Sequence, residues 1–180
     1  MEDRAVSPPE GWSVIDEGDV LSVPGLTGAA VRTGVKESND LDLVLLGCQE
    51  TMVARGVFTQ NRMPAAPVTL CRERLLESPG ARCLVINSGN ANAMTGARGM
   101  EDAVAMAART EKHLGEPALV MSTGVIGVPL PLPKVLDGID EAAGQMSADA
   151  GDDMARAIMT TDTRPKRCAL THQGPGGVVT

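Results

Sequence analysis

Apolar residues in this chain follow two rhythms, unbroken short runs and stripes spaced for one face of a helix. The strongest run covers residues 41–48, and its length and polar borders predict a buried strand. Shorter runs predict strands at residues 29–32, 83–86 and 118–121, with weaker candidates at 52–59 and 67–71 flanking a Gln60-Asn61-Arg62 loop. The rhythm then changes. Met100, Ala103, Val104 and Ala107 recur at the spacing of one helical face, and Gly115 followed by Pro117 closes a helix over 100–114. Leu132, Val135, Leu136, Ile139, Ala142, Ala143 and Met146 make a second, continuous stripe. A third, short helix at 152–159 opens on acids, as the helix dipole prefers, and runs into Thr160-Thr161-Asp162-Thr163. A last strand at 167–171 precedes Gly174-Pro175-Gly176-Gly177.

Strands followed by helices predict an α/β layered protein. At 180 residues the chain reads as a single domain over 25–180, preceded by a loose lead-in over 1–24 rich in Pro, Gly and acids. Closing on a short strand implies that a partner segment completes the sheet.

Composition narrows the function. One Trp, one Phe and no Tyr leave the core to aliphatic residues and provide no stacking platform for single-stranded nucleic acid. Acidic residues number 23 against 16 Lys plus Arg, and the net charge of -7 opposes binding to a phosphate backbone. The one small basic group, Arg164-Pro165-Lys166-Arg167, reads as a solvated turn. Cys48, Cys71, Cys83 and Cys168 show no C-x-x-C spacing and read as buried free thiols in a reducing compartment. His113 and His172 cannot assemble a zinc motif, and a Cys168–His172 pair would be separated on the expected strand. Early acids (Glu2, Asp3) with no following apolar segment argue against a secretory signal, and no run approaches the ~20 residues of a membrane span. The expectation is a soluble, cytoplasmic protein with no membrane or nucleic-acid partner.

Candidate chemistry lies in two runs that follow apolar strands: Asn87-Ser88-Gly89-Asn90-Ala91-Asn92-Ala93 and Ser122-Thr123-Gly124-Val125-Ile126-Gly127. Small and amide residues there let backbone N–H groups approach a ligand. Thr123 and Gly124 could form an oxyanion hole, or the run could be an ordinary strand-to-loop turn. The asparagine run reads equally as a ligand contact or as a turn built on left-handed conformations. Thr160 to Thr163 could bind a carboxylate or simply cap and turn the chain. There is no P-loop, Rossmann fingerprint or nucleophile elbow, so spacing alone stops at an α/β protein with a candidate oxyanion pocket.

Taken together, these runs resemble the ornithine acetyltransferase family, the bifunctional glutamate N-acetyltransferase/amino-acid acetyltransferase of arginine biosynthesis. The matching segments are residues 29–35, Gly56-Val57-Phe58-Thr59-Gln60-Asn61-Arg62, Ala66-Pro67-Val68, and Asn87 to Ala93 with Thr95-Gly96. They continue with Ser122 to Gly127, Pro129-Leu130-Pro131 and Ala157-Ile158-Met159-Thr160-Thr161-Asp162-Thr163. The resemblance implies an α/β/β/α-type layered fold, incomplete without a β chain, and an autocatalytically cleaved precursor with an α2β2 assembly. It implies acetyl transfer from N-acetylornithine, or from acetyl-CoA as co-substrate, to glutamate through an acetyl-Thr on the β chain, with no resident cofactor and no metal. It places the oxyanion hole at Thr123 and Gly124, and substrate contact at Thr160 first and Thr161 second. The family's Ala-Thr cleavage dipeptide and the Lys-Gly-rich segment before it are not in this sequence. By family spacing the chain is expected to stop about one to two dozen residues before the cut, and so to be inactive alone. Rival readings are a non-catalytic fragment or interaction subunit of the same fold, and a self-cleaving hydrolase of the aminopeptidase type.

Overall fold

Alternation along residues 80–90 decides which way the main sheet faces: Ala81, Cys83 and Val85 are buried, while Arg82, Leu84 and Ile86 between them are only half-buried. Side chains in a strand point to opposite faces in turn, so one side of this strand enters a deep core and the other does not. In the computed structural model, which describes residues 7–180, the strand is β4 (Gly80–Asn90) of a four-stranded sheet. Glu2 and Asp3 of the predicted lead-in lie outside the described residues.

The sheet order is β2 (Leu26–Val31), β3 (Leu43–Val53), β4 and β5 (Ala118–Val125). The first three strands are antiparallel, and β4 and β5 are parallel. A parallel pair needs a crossover, supplied here by helix α2 (Gly96–Leu114). On one face, Leu43, Leu45, Cys83, Val85 and Val120 pack against Ala103 and Met106 of α2, Val135 and Ile139 of α3 (Leu132–Ala143), and Leu70 of α1 (Ala66–Glu77). The opposite face is covered only in part. There Val44 meets Leu21, Leu26 and helix α4 (Gly151–Ala157) through Met154 and Ala157. Leu46, Leu84, Ile86 and Leu119 stay half-buried, and Met121 is 52% exposed.

A second, small sheet joins β1 (Trp12–Val14), β6 (Leu170–Gly174) and β7 (Gly177–Val179), with Trp12 stacked on His172 at 5.2 Å between ring centroids. Residues expected to form a loose lead-in therefore carry a strand and, at Val20–Ser22, a 3-10 turn capped by Asp19.

The mixed α/β architecture stands as expected, and several elements depart from the sequence reading. Residues 67–71, read as a weak strand, lie in helix α1: Pro67 sits at the helix start, where its missing N–H costs nothing, and Pro67, Leu70 and Cys71 form the buried face. The expected strand at 52–59 is only the end of β3, which stops at Val53. Helix α2 begins at Gly96 rather than 100, and its buried face is Gly99, Asp102, Ala103, Met106, Ala107 and Thr110. Val104, placed on that face by spacing, is exposed because the sheet and α3 meet the helix one position further round. Helix α3 stops at Ala143, and the last strand is a hairpin shifted three residues on from 167–171.

Thiol environments differ more than composition suggested. Cys71 and Cys83 are buried, Cys48 is half-buried, and Cys168, expected to be buried, is exposed. Burial raises the Cys71 thiol, and burial followed by the nearby Glu111 carboxylate pushes Cys83 up to about 12. Both stay protonated and poorly nucleophilic at neutral pH. Brief alkylation of the native chain, read by peptide mass spectrometry, is expected to modify Cys168 first and to reach Cys71 and Cys83 only after denaturation. Early labelling of Cys83 would contradict the packing described.

Candidate active site

The two small-residue runs begin inside their strands, β4 reaching Asn90 and β5 reaching Val125 before the loops start. Within the parallel pair, Asn87 lies opposite Ser122, Ser88 opposite Thr123 and Gly89 opposite Gly124. Gly124 has φ 132°, and a Cβ there would stand 2.3 Å from the Gly89 carbonyl carbon and 2.6 Å from the Asn90 nitrogen. Only glycine fits, for conformational and steric reasons together. Thr123 shares a sheet face with Ser88, and so continues the row of Leu119 and Met121 on the partly open side.

The asparagines are structural. Asn87 Oδ1 accepts from the Ser122 hydroxyl at 2.6 Å, and its Nδ2 donates to the Asn90 carbonyl at 2.8 Å. Asn90 Nδ2 donates to the Val128 carbonyl at 3.0 Å, and its Oδ1 accepts the Asn92 N–H at 2.8 Å. Asn92, in left-handed conformation at φ 44°, donates to the Gly99 carbonyl and accepts from the Thr95 hydroxyl, both at 2.7 Å. All three are buried and bolt the loop after β4 to helix α2 and to the 128–129 segment. Of the run, Gly89 and Asn90 reach the surface of the groove described next.

That groove, of about 870 Å³, is lined by Thr123 and Gly124 together with Thr160 and Thr161, and also by Val35 and Lys36. Four residues up to 38 positions apart in sequence thus come to one site. The hydroxyls of Thr123, Thr160 and Thr161 take no hydrogen-bond partner among the described residues, whereas Asp162 is committed to its turn. Its carboxyl is held below the usual carboxylate range first by hydrogen bonding to Lys166, then by that ammonium's charge and the Thr160 N–H. An uncommitted hydroxyl beside a glycine backbone at the groove wall is the kind of donor set that stabilises a developing oxyanion.

Sequence reading missed what frames the groove. Asp42, fully buried just before β3, accepts four hydrogen bonds: Thr33 N–H (2.7 Å) and hydroxyl (2.9 Å) on Oδ1, and Val35 N–H (2.8 Å) and Lys36 N–H (3.1 Å) on Oδ2. Its backbone carbonyl accepts from Ser88 N–H at 2.8 Å. One carboxylate therefore shapes the 33–36 loop and ties it to β4. Its partners lie six to nine residues back along the chain, and no local motif announces them.

Neither histidine lines the groove. His113 and Arg109 meet Asp140 across the surface of α2 and α3, and His172 Nδ1 faces the Gly11 carbonyl at 2.6 Å. No group of three metal-ligating side chains occurs among the described residues, and no helix there is long and apolar enough to cross a membrane.

Replacing Asp42 with Asn keeps the shape but puts an amide N–H₂ where two backbone N–H groups must be accepted. The expected cost is about 2–3 kcal/mol, since buried donors then face a donor. Urea unfolding of the wild-type and Asp42→Asn chains measures it, and equal midpoints would show that the carboxylate does not hold the loop.

Comparison with known proteins identifies the family and the fold. The matching family description is "ArgJ family", over residues 27–180. An "Arginine biosynthesis bifunctional protein ArgJ" from Parasynechococcus marenigrum is 43% identical over 163 residues, 88% of this chain and 40% of that protein. The Streptomyces coelicolor protein of the same description is 44% identical over 159 residues, 86% of this chain and 41% of that one. The chain thus spans about 40% of the length of these curated relatives. Among solved structures, the Bacillus halodurans argJ crystal structure superposes with a TM-score of 0.86 at 31% identity, covering 93% of this chain and 89% of that one. Ornithine acetyltransferase from Mycobacterium tuberculosis, complexed with ornithine, gives 0.82 at 32%, covering 93% and 92%.

Proposed function

The chain belongs to the ArgJ family, and from that premise we propose that it is the α-chain portion of a cytoplasmic acetyltransferase of arginine biosynthesis. In this reading an acetyl group moves from N-acetylornithine, or from acetyl-CoA as the alternative donor, to glutamate by way of an acetyl-threonine enzyme. The attacking threonine belongs to a β chain cut from the same precursor, and the two chains assemble as α2β2. No resident cofactor is invoked.

The observation that carries the proposal is the convergence of Thr123, Gly124, Thr160 and Thr161 on one groove, with the threonine hydroxyls free of partners among the described residues. When a nucleophilic hydroxyl adds to the acetyl carbonyl, the C=O electrons move to oxygen. The Thr123 hydroxyl and the Gly124 N–H would donate to that oxyanion, and Thr160, with Thr161 beside it, would contact the amino-acid substrate. Gly124 lets β5 lie directly against the Gly89–Asn90 backbone, which sets the groove edge next to Thr123. No histidine lines the groove among the described residues, and the Ser38 hydroxyl there is already bonded to the Asp40 carboxylate on an exposed loop, which supports a nucleophile supplied by another chain. The partly uncovered sheet face running into Thr123 supports the β chain as the partner that would lie there.

A non-catalytic subunit of the same fold is the competing reading, and one experiment separates them. In the complete α/β assembly, Thr123→Ala is expected to lower kcat for acetyl transfer about 10²–10³-fold, with little change in KM. Full activity of that variant would remove Thr123 from the chemistry.

A further inference from the structure

Lys36 occupies a place that the acetyl-transfer reading leaves unassigned. It borders the main groove and also a neighbouring polar cavity of about 380 Å³, which it shares with Ser38 and Thr160. Its ammonium does not reach freely into either space. Nζ donates to the Leu41 carbonyl at 2.8 Å and to the Ala157 carbonyl at 3.0 Å, a residue 121 positions away. Burial pulls the Lys36 ammonium below its ordinary value, opposed by the Asp42 and Asp40 carboxylates.

The Ala157 carbonyl is a junction. It closes helix α4, where carbonyls lack intrahelical partners, and the chain reaches Thr160 three residues later. The same oxygen accepts from the Ser88 hydroxyl at 2.5 Å, and Ser88 lies opposite Thr123 in the β4–β5 register. One acceptor is therefore gripped from two sides, by the strand pair carrying Thr123 and by the loop that Asp42 shapes. The Lys36 stem is itself confined: a Cβ at Gly89 would come within 3.1 Å of Lys36 Cγ.

We propose that Lys36 is a positioning residue, whose double hydrogen bond to the Leu41 and Ala157 carbonyls fixes the Thr160–Thr161 segment relative to the Thr123–Gly124 edge. The proposal rests on the acetyltransferase reading for its kinetic consequence, though not for its structural one. Lys36 touches no reacting atom. Its loss should loosen substrate binding, and leave the oxyanion donors, which lie on a rigid strand pair, in place.

Lys36→Met keeps the stem and removes both hydrogen bonds, while Lys36→Arg retains donors. In the complete α/β assembly, Lys36→Met is expected to raise KM for the amino-acid substrate about tenfold or more and to leave kcat within about threefold; Lys36→Arg should recover most of the loss. In hydrogen exchange on the same proteins, the Ile158 and Met159 amides, bonded to Met154 and Arg156 carbonyls, should exchange about tenfold faster in Lys36→Met, with Val120 unchanged. Wild-type exchange at 158–159, or a wild-type KM in an active Lys36→Met enzyme, overturns the proposal. If the unmodified assembly transfers no acetyl group, the functional reading fails by itself, and the exchange rates alone decide whether Lys36 holds the segment.

Discussion

At the far end of the β4–β5 pair the two backbones meet at Gly89 and Gly124 with no room for a side chain between them. The register that produces this contact also sets Ser88 beside Thr123 and Asn87 beside Ser122, so one alignment of two strands fixes Gly89, Asn90, Thr123 and Gly124 along the groove at once. A slip by one residue would turn Thr123 to the other face and bring a side chain into the glycine contact. Parallel pairing is slightly weaker per residue than antiparallel pairing, and the alignment is reinforced by hydrogen bonds outside the ladder. The Ser122–Asn87 bond is one, and the Cys71 thiol bonded to both the N–H and carbonyl of Val120 is another. At the other end of β5, Arg74 of α1 and Glu111 of α2 pair with each other and clasp the carbonyl and N–H of Ala118.

Around that contact the protein buries polar groups and satisfies them. Asp42, Asn87, Asn90 and Asn92 are nearly or wholly inaccessible, and each finds backbone or hydroxyl partners. Removing a carboxylate from water is costly unless donors replace the lost solvation, and Asp42 has four. The return is geometric: loops with no regular structure, at 33–36 and 91–95, are held by buried side-chain hydrogen bonds in place of a ladder. Oxyanion donors act through pre-set position, so rigid loops next to Thr123 matter more to the proposed chemistry than any single contact with substrate.

The sequence revealed the strands well where apolar residues ran unbroken, as at 43–46 and 83–86, because continuous burial needs no tertiary information to recognise. It misled where a small or polar residue continued a strand. Asn87 and Ser122 look like loop residues, yet hydrogen-bonding to each other lets both remain in the sheet. Residues 67–71 look like a weak strand because Val68, Leu70 and Cys71 make a short apolar run; the spacing of Pro67, Leu70 and Cys71 is the signal for the helix. For the site, composition and spacing reached only a candidate donor pair, and the resemblance added Thr160 and Thr161. That these share a groove with Thr123 follows from α4 packing across the sheet, which no local pattern encodes. Lys36 and Asp42 were invisible for the same reason. In sequence they are ordinary loop charges among Glu37, Asp40 and others.

The main sheet is finished on one side before it is finished on the other. Helices α1, α2 and α3 pack their apolar stripes against one face of the sheet, Leu43 and Leu45 included, in a closed core, while the row from Leu46 through Leu84 and Ile86 to Met121 is covered only in part. Whatever covers that row meets a surface already shaped by the helical side, so on this chain's part, and with a covering element that is itself already folded, its arrival would be docking rather than coupled folding. Such an event carries a distinctive calorimetric mark: a fall in heat capacity scaled to the aliphatic area removed from solvent, without the added enthalpy of ordering a disordered chain.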